Sequence, residues 1–394
     1  MITKFWGRNV GLLKEFSVDL GPMTFLVGKN AAGKSTFLRG LRCLAMLTRL
    51  PILGERGALP LGYRATIREL FGGEEMVLGV HVETERGAGE YEVTLGTDGP
   101  LVLVVGEKVE WKGTNGKSFG YGQGGPEFYY MHRGNYLSSK LPRATSLPYF
   151  CFPIYKGKQH EEVAKLAPLY ELMDQFTPFH VYRFSPSEIA RPAEPGSLLA
   201  HDGAGLAAEL DTLLGMDRSA FDRISSALSD LFPHIKQVNV STLTERKSNV
   251  SGERGTARSV ALKGLVFERH DGKAVTAEME SDGVLLTLAH LFLATRHVSP
   301  AVGIEEPETA TYPSLLESRL RLFRTMSEGK AGTPLSQILV TTHSPTLLTM
   351  AQDPSLVRIF EHQSNGDVKI FTPPEHSMME VIEKRLGWSV GMAD

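Results

Sequence analysis

Residues 28–36 read Gly28-Lys29-Asn30-Ala31-Ala32-Gly33-Lys34-Ser35-Thr36. The segment matches the phosphate-binding pattern G-x-x-x-x-G-K-[ST], in which the glycines let backbone amides wrap around an anion. An apolar strand pattern at 24–27 precedes it, and a helical pattern over 35–50 follows it. Because the start of a helix presents free N–H groups to phosphate, the segment predicts a nucleotide-binding loop in an α/β core.

Each side chain of this loop has an expected role. Lys34 should place its charge on the β- and γ-phosphates, and the Ser35 hydroxyl should ligate Mg²⁺. The predicted nucleotide contacts from this segment are Gly28, Asn30, Gly33, Lys34, Ser35 and Thr36. A plain glycine-rich turn is the alternative, and the flanking strand and helix patterns argue against it.

A second segment is an apolar strand that ends in acids, Ala301-Val302-Gly303-Ile304-Glu305-Glu306-Pro307-Glu308. Successive strand side chains point to opposite faces, so Glu305 and Glu306 cannot have the same role. We expect Glu305 to reach the Mg²⁺ shell and Glu306 to polarise the attacking water. The alternative is a solvated helix start, which the presence of Lys34 in the same chain disfavours.

Two further candidate sites lie beside apolar elements. The strand pattern at 337–341 leads into His343, which is predicted to hydrogen-bond the γ-phosphate and to join Lys34 and Glu306 as a catalytic residue. Ser281 and Gly283 precede a helix that is apolar nearly all round. Ser281 could be a simple N-cap, or the pair could bind a phosphate that a partner molecule presents. His290, on that apolar helix, is expected to be a core residue.

The composition is that of an ordinary globular protein. Of 394 residues, 42% are hydrophobic and 22% charged, and the net charge is -3 with a pI near 6.5. These values exclude a protein that is basic overall, although a local basic patch could still bind nucleic acid. Two cysteines are too few for a disulfide framework or a zinc site. The most apolar stretch, 284–294, is about half a membrane span, and no signal-peptide pattern is present, so the expected location is the cytoplasm with no membrane partner.

The middle of the chain differs in texture from its ends. We expect an antiparallel β-meander over 76–111, long loops over 113–148, and a mobile hairpin tip at 244–256 between two β runs. Helical patterns cover 161–176 and 203–232. The sequence therefore predicts a core made of 1–75 and 270–394, with 76–269 as inserted β-meander and helical or lid subdomains.

In this order, the motifs resemble the ABC-type AAA ATPase heads of the SMC/RecF-like class. They are most similar to the standalone "predicted ATPase" group related to the ATPase domain of the OLD (overcoming-lysogenization-defect) family. The matching segments are 28–36 as Walker A, 281–283 as a reduced signature motif, 304–308 as Walker B, 341–345 as the switch histidine, and 181–186 with 202–208. The implied fold is an ABC-type P-loop NTPase head, a mixed sheet flanked by helices, with an antiparallel β subdomain and an inserted β/α lid region.

The resemblance also implies a mechanism and partners. ATP and Mg²⁺ would be bound in a homodimer or higher oligomer, where the phosphates of one subunit meet Ser281 and Gly283 of the other. Hydrolysis would switch this dimer. The group's clients include an effector, a nuclease or toxin encoded nearby, and DNA, in antiphage defence or DNA repair.

The chain departs from the family pattern at several points. The full Leu-Ser-Gly-Gly-Gln signature is absent, Glu305 replaces the usual aspartate, and Thr311-Tyr312-Pro313 stands where the group often has Leu-His-Pro. No Q-loop glutamine is located. A non-catalytic nucleotide-binding scaffold is the alternative function. Three other functions are disfavoured. The segment after His343 is too short for the Toprim domain of a nuclease, and the sequence has neither the coupling motifs of a transporter nor the heptads of a long-armed SMC protein.

Overall fold

The computed structural model describes residues 1–49, 59, 61–114, 118–123, 128–132, 135–139, 171–247, 258–296, 299–330, 333–351 and 353–374. Its architecture is mixed α/β, as predicted. Two compact units divide the chain. The first comprises Met1–Val181, Ser299–Gly303 and Gln337–Asp394, and the second comprises Tyr182–Val298 and Ile304–Ser336.

The described chain contains both runs of consecutive strands and strands followed by helices. The strands are β1 (Ile2–Val10), β2 (Leu13–Asp19), β3 (Met23–Gly28), β4 (Glu75–Thr84), β5 (Gly87–Asp98), β6 (Leu101–Gly113), β7 (Ser118–Gln123), β8 (Phe128–His132), β9 (Asn135–Ser139), β10 (His180–Tyr182), β11 (Ile235–Lys247), β12 (Arg258–Arg269), β13 (Ala274–Thr276), β14 (Ala301–Glu305), β15 (Gln337–Thr342), β16 (Val357–His362) and β17 (Val368–Phe371). The α-helices are α1 (Lys34–Leu47), α2 (Leu61–Arg68), α3 (Pro186–Ala190), α4 (Leu206–Met216), α5 (Arg218–Leu231), α6 (Asp282–Arg296), α7 (Pro313–Glu328) and α8 (Pro345–Ala351), with 3₁₀ turns at Ala277–Met279 and Pro354–Leu356.

One sheet of the first unit is antiparallel, with the strand order β2-β1-β4-β5-β6-β7-β8-β9. The meander predicted at 76–111 is confirmed as β4, β5 and β6. The long loops predicted over 113–148 are wrong where β7, β8 and β9 lie. Glycine-rich composition resembles a loop, but β6 offers a sheet edge whose backbone groups pair with the next strand.

The second sheet has the order β10-β14-β15-β3-β16-β17 and is mixed. β3 is buried along its whole length and lies between β15 and β16, both parallel to it. β16 and β17 form an antiparallel pair. A strand buried on both faces reads as a continuous apolar run, which is why the sequence predicts β3 well.

Aromatic packing holds α1 in place behind β3. Phe37 of α1 contacts Phe5 of β1 edge-on, with ring centroids 4.8 Å apart, and Phe360 of β16 at 5.7 Å. Phe37, Phe5 and Phe360 are all fully buried. Burying side chains of this size contributes about 1.5–3 kcal/mol each, so the first turn of α1 is rigidly placed.

In the second unit, β11, β12 and β13 form an antiparallel sheet. The helical pattern predicted over 203–232 is confirmed as two helices, because Asp217 ends α4 and caps α5 by accepting from the Ala220 N–H at 2.9 Å. The predicted hairpin tip is shorter than expected, since residues 244–247 continue β11. Residues 248–257, and 161–170 of the predicted helix 161–176, lie outside the described residues.

The domain boundaries drawn from the sequence do not coincide with the compact units. Residue 76, the predicted start of an insertion, lies in β4, which pairs with β1, for example Val80 with Phe5. Pairing between distant strands is invisible to composition, and the predicted boundary at 76 falls within a sheet of the first unit. Within the described ranges, no helix combines the length and apolarity needed to cross a bilayer.

Candidate functional site

The phosphate-binding loop predicted at 28–36 connects β3 to α1 in the first unit. Ala31 and Gly33 have φ angles of 60° and 92°, in the left-handed region that favours glycine at position 33. A Cβ on Gly28 would lie 2.5 Å from the Phe360 carbonyl oxygen. Glycine at position 28 therefore lets β16 approach the start of the loop.

Lys34, the first residue of α1, is only 6% exposed. Its Nζ donates hydrogen bonds to the carbonyl oxygens of Gly28, at 2.7 Å, and Lys29, at 2.9 Å. The loop thus wraps around an ammonium group at a helix N-terminus, where backbone N–H groups and the helix dipole also favour an anion. Ser35 and Thr36 are half-buried in the same turn, and Asn30 is exposed.

Two histidines follow the strands on either side of β3. β15 pairs with β3 in parallel, Thr342 opposite Val27, so His343 leaves its strand at the same edge as the loop. His343 is exposed. His362 ends β16, and its Nε2 lies 3.1 Å from the Ala31 carbonyl oxygen within the loop. The sequence reasoning missed His362, although its position at the end of an apolar strand was a usable signal.

The acidic segment lies in the second unit and is held by an arginine. Glu306 has a φ of 49°, which turns the chain sharply after β14. Its Oε2 accepts a hydrogen bond from Arg183 Nη2 at 2.7 Å. Backbone strain at a non-glycine residue often marks a functional position. Glu305 and Glu306 are both half-buried, and Arg183 was not among the predicted site residues.

The start of α6 is joined to the segment after β14 by Arg319 of α7. Arg319 donates to the Pro307 carbonyl oxygen and also, at 3.4 Å, to the Gly283 carbonyl oxygen. Ser281 is exposed, and its hydroxyl makes no hydrogen bond to any described residue. The capping bond expected from the N-cap alternative is therefore not formed. The predicted residues of the second unit, Ser281 to Gly283 and the acids, are thus linked through one buried side chain.

The residues predicted to hold magnesium fit that ion in type and number. Mg²⁺ takes oxygen ligands and usually keeps several waters, with only one or two protein groups besides the phosphates of a nucleotide. Ser35 and Glu305 supply that kind of donor. The described residues contain no cluster of three or more metal-binding side chains.

Comparison with known proteins gives a family assignment for part of the chain. Residues 176–349 match the protein-family model described as "AAA domain, putative AbiEii toxin, Type IV TA system". This match and the loop at 28–36 together support a nucleotide-binding ATPase domain of the AAA type. The predicted resemblance to AAA-type ATPases is confirmed at this level.

Solved structures of SMC heads are also similar to the chain. An SmcHead bound to the C-winged helix domain of ScpA has 12% identity and a TM-score of 0.48, and the match covers 96% of this chain and 99% of the SmcHead chain. The SMC head domain from Thermotoga maritima has 12% identity and a TM-score of 0.39, covering 95% and 99%. The Pyrococcus furiosus Smc head with an extended coiled coil, bound to the C-terminal domain of ScpA, has 12% identity and a TM-score of 0.45, covering 97% and 98%. Likenesses at this level carry no functional argument.

Proposed function

We propose that the chain binds ATP with Mg²⁺ and hydrolyses it as a nucleotide-driven dimer switch. The observation that carries the proposal is the loop of the first unit, where a buried lysine lies inside a turn that opens a helix. The ammonium group of Lys34 and the free backbone N–H groups of the first turn of α1 lie in the same loop, and both favour an anion there. The phosphates of a nucleotide are such an anion.

The proposed roles follow from the chemistry of each group. Lys34 would neutralise the β- and γ-phosphates, and Ser35 and Glu305 would hold Mg²⁺, which offsets charge on the phosphates. Glu306 would orient the attacking water, and Arg183 would hold the Glu306 carboxylate in position. His343 would hydrogen-bond the γ-phosphate.

A second subunit would complete the site. Ser281 is exposed and its hydroxyl is unengaged within the described residues, so it is available to a phosphate from another molecule. Gly283, two residues after Ser281, has no side chain that would obstruct the approach of this phosphate to the start of α6. A nucleotide carrying a γ-phosphate would bridge two subunits and so favour the dimer, and hydrolysis would release it.

The client of such a switch is a further proposal. The description of the matched family mentions a putative toxin and a toxin–antitoxin system, which supports a role in such a system. The proposed partner there is an effector protein, a toxin or nuclease. DNA is the second candidate client, in antiphage defence or DNA repair. The alternative remains a nucleotide-binding scaffold that does not hydrolyse ATP.

Replacing Glu306 with glutamine tests the switch. Glu306→Gln should bind ATP normally but hydrolyse it about 100-fold more slowly, in line with the loss of a general base. Light scattering should then show an ATP-bound dimer. Glu317→Gln is the matched control, because Glu317 is also a carboxylate paired with an arginine, at 2.5 Å. Equal turnover in the two variants would contradict the role of Glu306. Wild-type turnover no higher than that of Lys34→Ala would favour the scaffold.

A mixing experiment tests the contact between subunits. Lys34→Ala and Ser281→Arg should each be inactive alone, but a heterodimer of the two keeps one of two composite sites intact and should recover up to about half of the wild-type activity per dimer. Met279→Arg is the control, because Met279 is also exposed, at 76%, just before α6. Demonstrated heterodimers with no recovered turnover would contradict a contact in trans.

A further inference from the structure

A cavity of about 440 Å³ lies among α5, α6 and α7, inside the second unit. This volume is within the range of small-molecule sites, roughly 300–1,000 Å³. Most of its wall is apolar, formed by Ile224, Ala227, Leu231, Leu291, Ala294 and Leu322. None of the motif residues 281–283 or 304–308 lines the cavity, which is therefore separate from the candidate nucleotide residues of this unit.

Arg319 forms part of this cavity and carries a buried charge. Its side chain is 2% exposed, and burial lowers its pKa to about 10, so it remains protonated at neutral pH. Its hydrogen-bond acceptors are neutral: the Pro307 and Gly283 carbonyl oxygens and the Thr311 and Thr287 hydroxyls.

No carboxylate in the described parts of the chain forms an ion pair with Arg319. Its Nε–H, moreover, has no hydrogen-bond partner there. A buried charge that lacks a counter-ion is costly, and an orphaned donor adds about 1–3 kcal/mol. The position calls for an anion that the described protein does not supply.

His290 lies beside Arg319 in the same cavity. Its ring packs edge-on against Phe184 and Phe323, with centroids 5.2 and 5.4 Å away. Burial, and then the Arg319 charge, lower the pKa of His290 well below its usual value, against a smaller raising effect of a hydrogen bond to the Leu286 backbone, so the ring is neutral. The buried Nδ1 meets the strict geometry of a hydrogen bond with no described residue. The neutral imidazole therefore adds a polar group, but no charge, beside Arg319.

Charged side chains other than Arg319 also line the cavity. Arg223 and Arg321 belong to the lining, although Arg321 forms an ion pair with Glu317 of the same helix, and Asp230 is the one acidic residue among the described lining residues. Together with Arg319, the lining holds more positive than negative charge, above an apolar wall. This combination matches a molecule with one negative end and an apolar body.

We propose that this cavity binds a small amphipathic anion, a carboxylate with an apolar chain, whose charged end lies beside Arg319 and His290. The carboxylate accepts from the Nε–H of Arg319, and the chain lies against the leucine and isoleucine side chains. The buried guanidinium thereby gains its counter-ion.

Calorimetric titration of the full-length chain with octanoate tests the site, with octanamide as the neutral control of the same length. Octanoate should bind at least about tenfold more tightly than octanamide, because only the carboxylate offsets the Arg319 charge. Ala227→Leu should weaken octanoate binding by about tenfold or more, since the larger side chain fills the cavity from α5. Ser226→Leu, the same substituent on the exposed side of α5, should leave binding unchanged.

Three results would overturn the proposal: no heat of binding with octanoate near 1 mM, equal affinity for octanoate and octanamide, or equal binding by the Ala227→Leu variant and wild type. Arg319→Met provides a second measure where circular dichroism shows it to be folded, because the preference for octanoate over octanamide should then disappear. The titration contains no ATP, so its outcome does not depend on the proposed ATPase function.

Discussion

Removing the charge of Lys34 should weaken ATP binding far more than removing a neighbouring charge. Lys34→Met keeps the unbranched stem and deletes the ammonium group, which donates hydrogen bonds to the carbonyl oxygens of Gly28 and Lys29 at 2.7 and 2.9 Å. Lys29→Met is the matched control, because Lys29 belongs to the same loop but is exposed. The two variants have the same chemistry and net charge.

The expected size of the effect follows from the burial of Lys34, which is 6% exposed. A hydrogen bond to a charged group contributes a net ~1.5–3 kcal/mol, which corresponds to roughly 10- to 100-fold in the ATP dissociation constant. The exposed Lys29 is screened by water, so its loss should change affinity by less than about threefold. Thermal unfolding without nucleotide should shift little for Lys29→Met, within ~0.5 kcal/mol. Lys34→Met should lose up to about 2 kcal/mol, because two loop carbonyls lose their donor.

Fluorescence titration with a labelled ATP analogue, followed by competition with ATP, measures both constants. Circular dichroism of each variant confirms that the fold is retained. Equal ATP affinity for Lys34→Met and wild type would refute the phosphate role of the loop. Equal losses in the two variants would show that net charge, and not the buried position, governs binding.

Three further outcomes are expected. Arg183→Ala frees the proposed water-orienting carboxylate, so it should slow ATP hydrolysis about tenfold yet lower the unfolding free energy by less than ~1 kcal/mol. Arg191→Ala removes an ion pair of similar exposure (67% and 24%, against 63% and 24%) and should leave turnover unchanged. Equal rates in the two variants would contradict the positioning role of Arg183. Gly28→Ala should destabilise the protein by about 3 kcal/mol in chemical denaturation, because the new methyl group would lie 2.5 Å from a backbone carbonyl oxygen of β16. Gly62→Ala, whose new methyl group would have no atom within 4 Å, should be neutral or stabilising. Burial raises the pKa of the Cys43 thiol to about 12. In a variant whose other cysteine is replaced by serine, the native protein at pH 8 should therefore not react with a disulfide reagent until it unfolds. Rapid labelling of the native protein would contradict this burial.

Local patterns in the sequence predicted the elements that carry the motifs. The strand patterns predicted at 24–27 and 337–341 lie in β3 (Met23–Gly28) and β15 (Gln337–Thr342), and the helical pattern over 35–50 covers α1 (Lys34–Leu47). Apolar runs and apolar periodicity are properties of neighbouring residues, so a single sequence shows them. Where composition alone was used, as for the glycine-rich 113–148, the prediction failed at β7, β8 and β9.

By itself, the sequence determined the phosphate-binding loop and the strand and helix that flank it, because the loop's glycines, lysine and hydroxyls are consecutive. Only the tertiary structure decided which distant groups meet. Arg183 pairs with Glu306 across 123 positions, and His362 reaches the Ala31 carbonyl across 331. Arg319 lies on an ordinary helical pattern, and nothing in that pattern marks it as the buried cation of a cavity. Such contacts depend on how sheets and helices pack, and the free energy of packing comes from pairs of surfaces far apart in the chain.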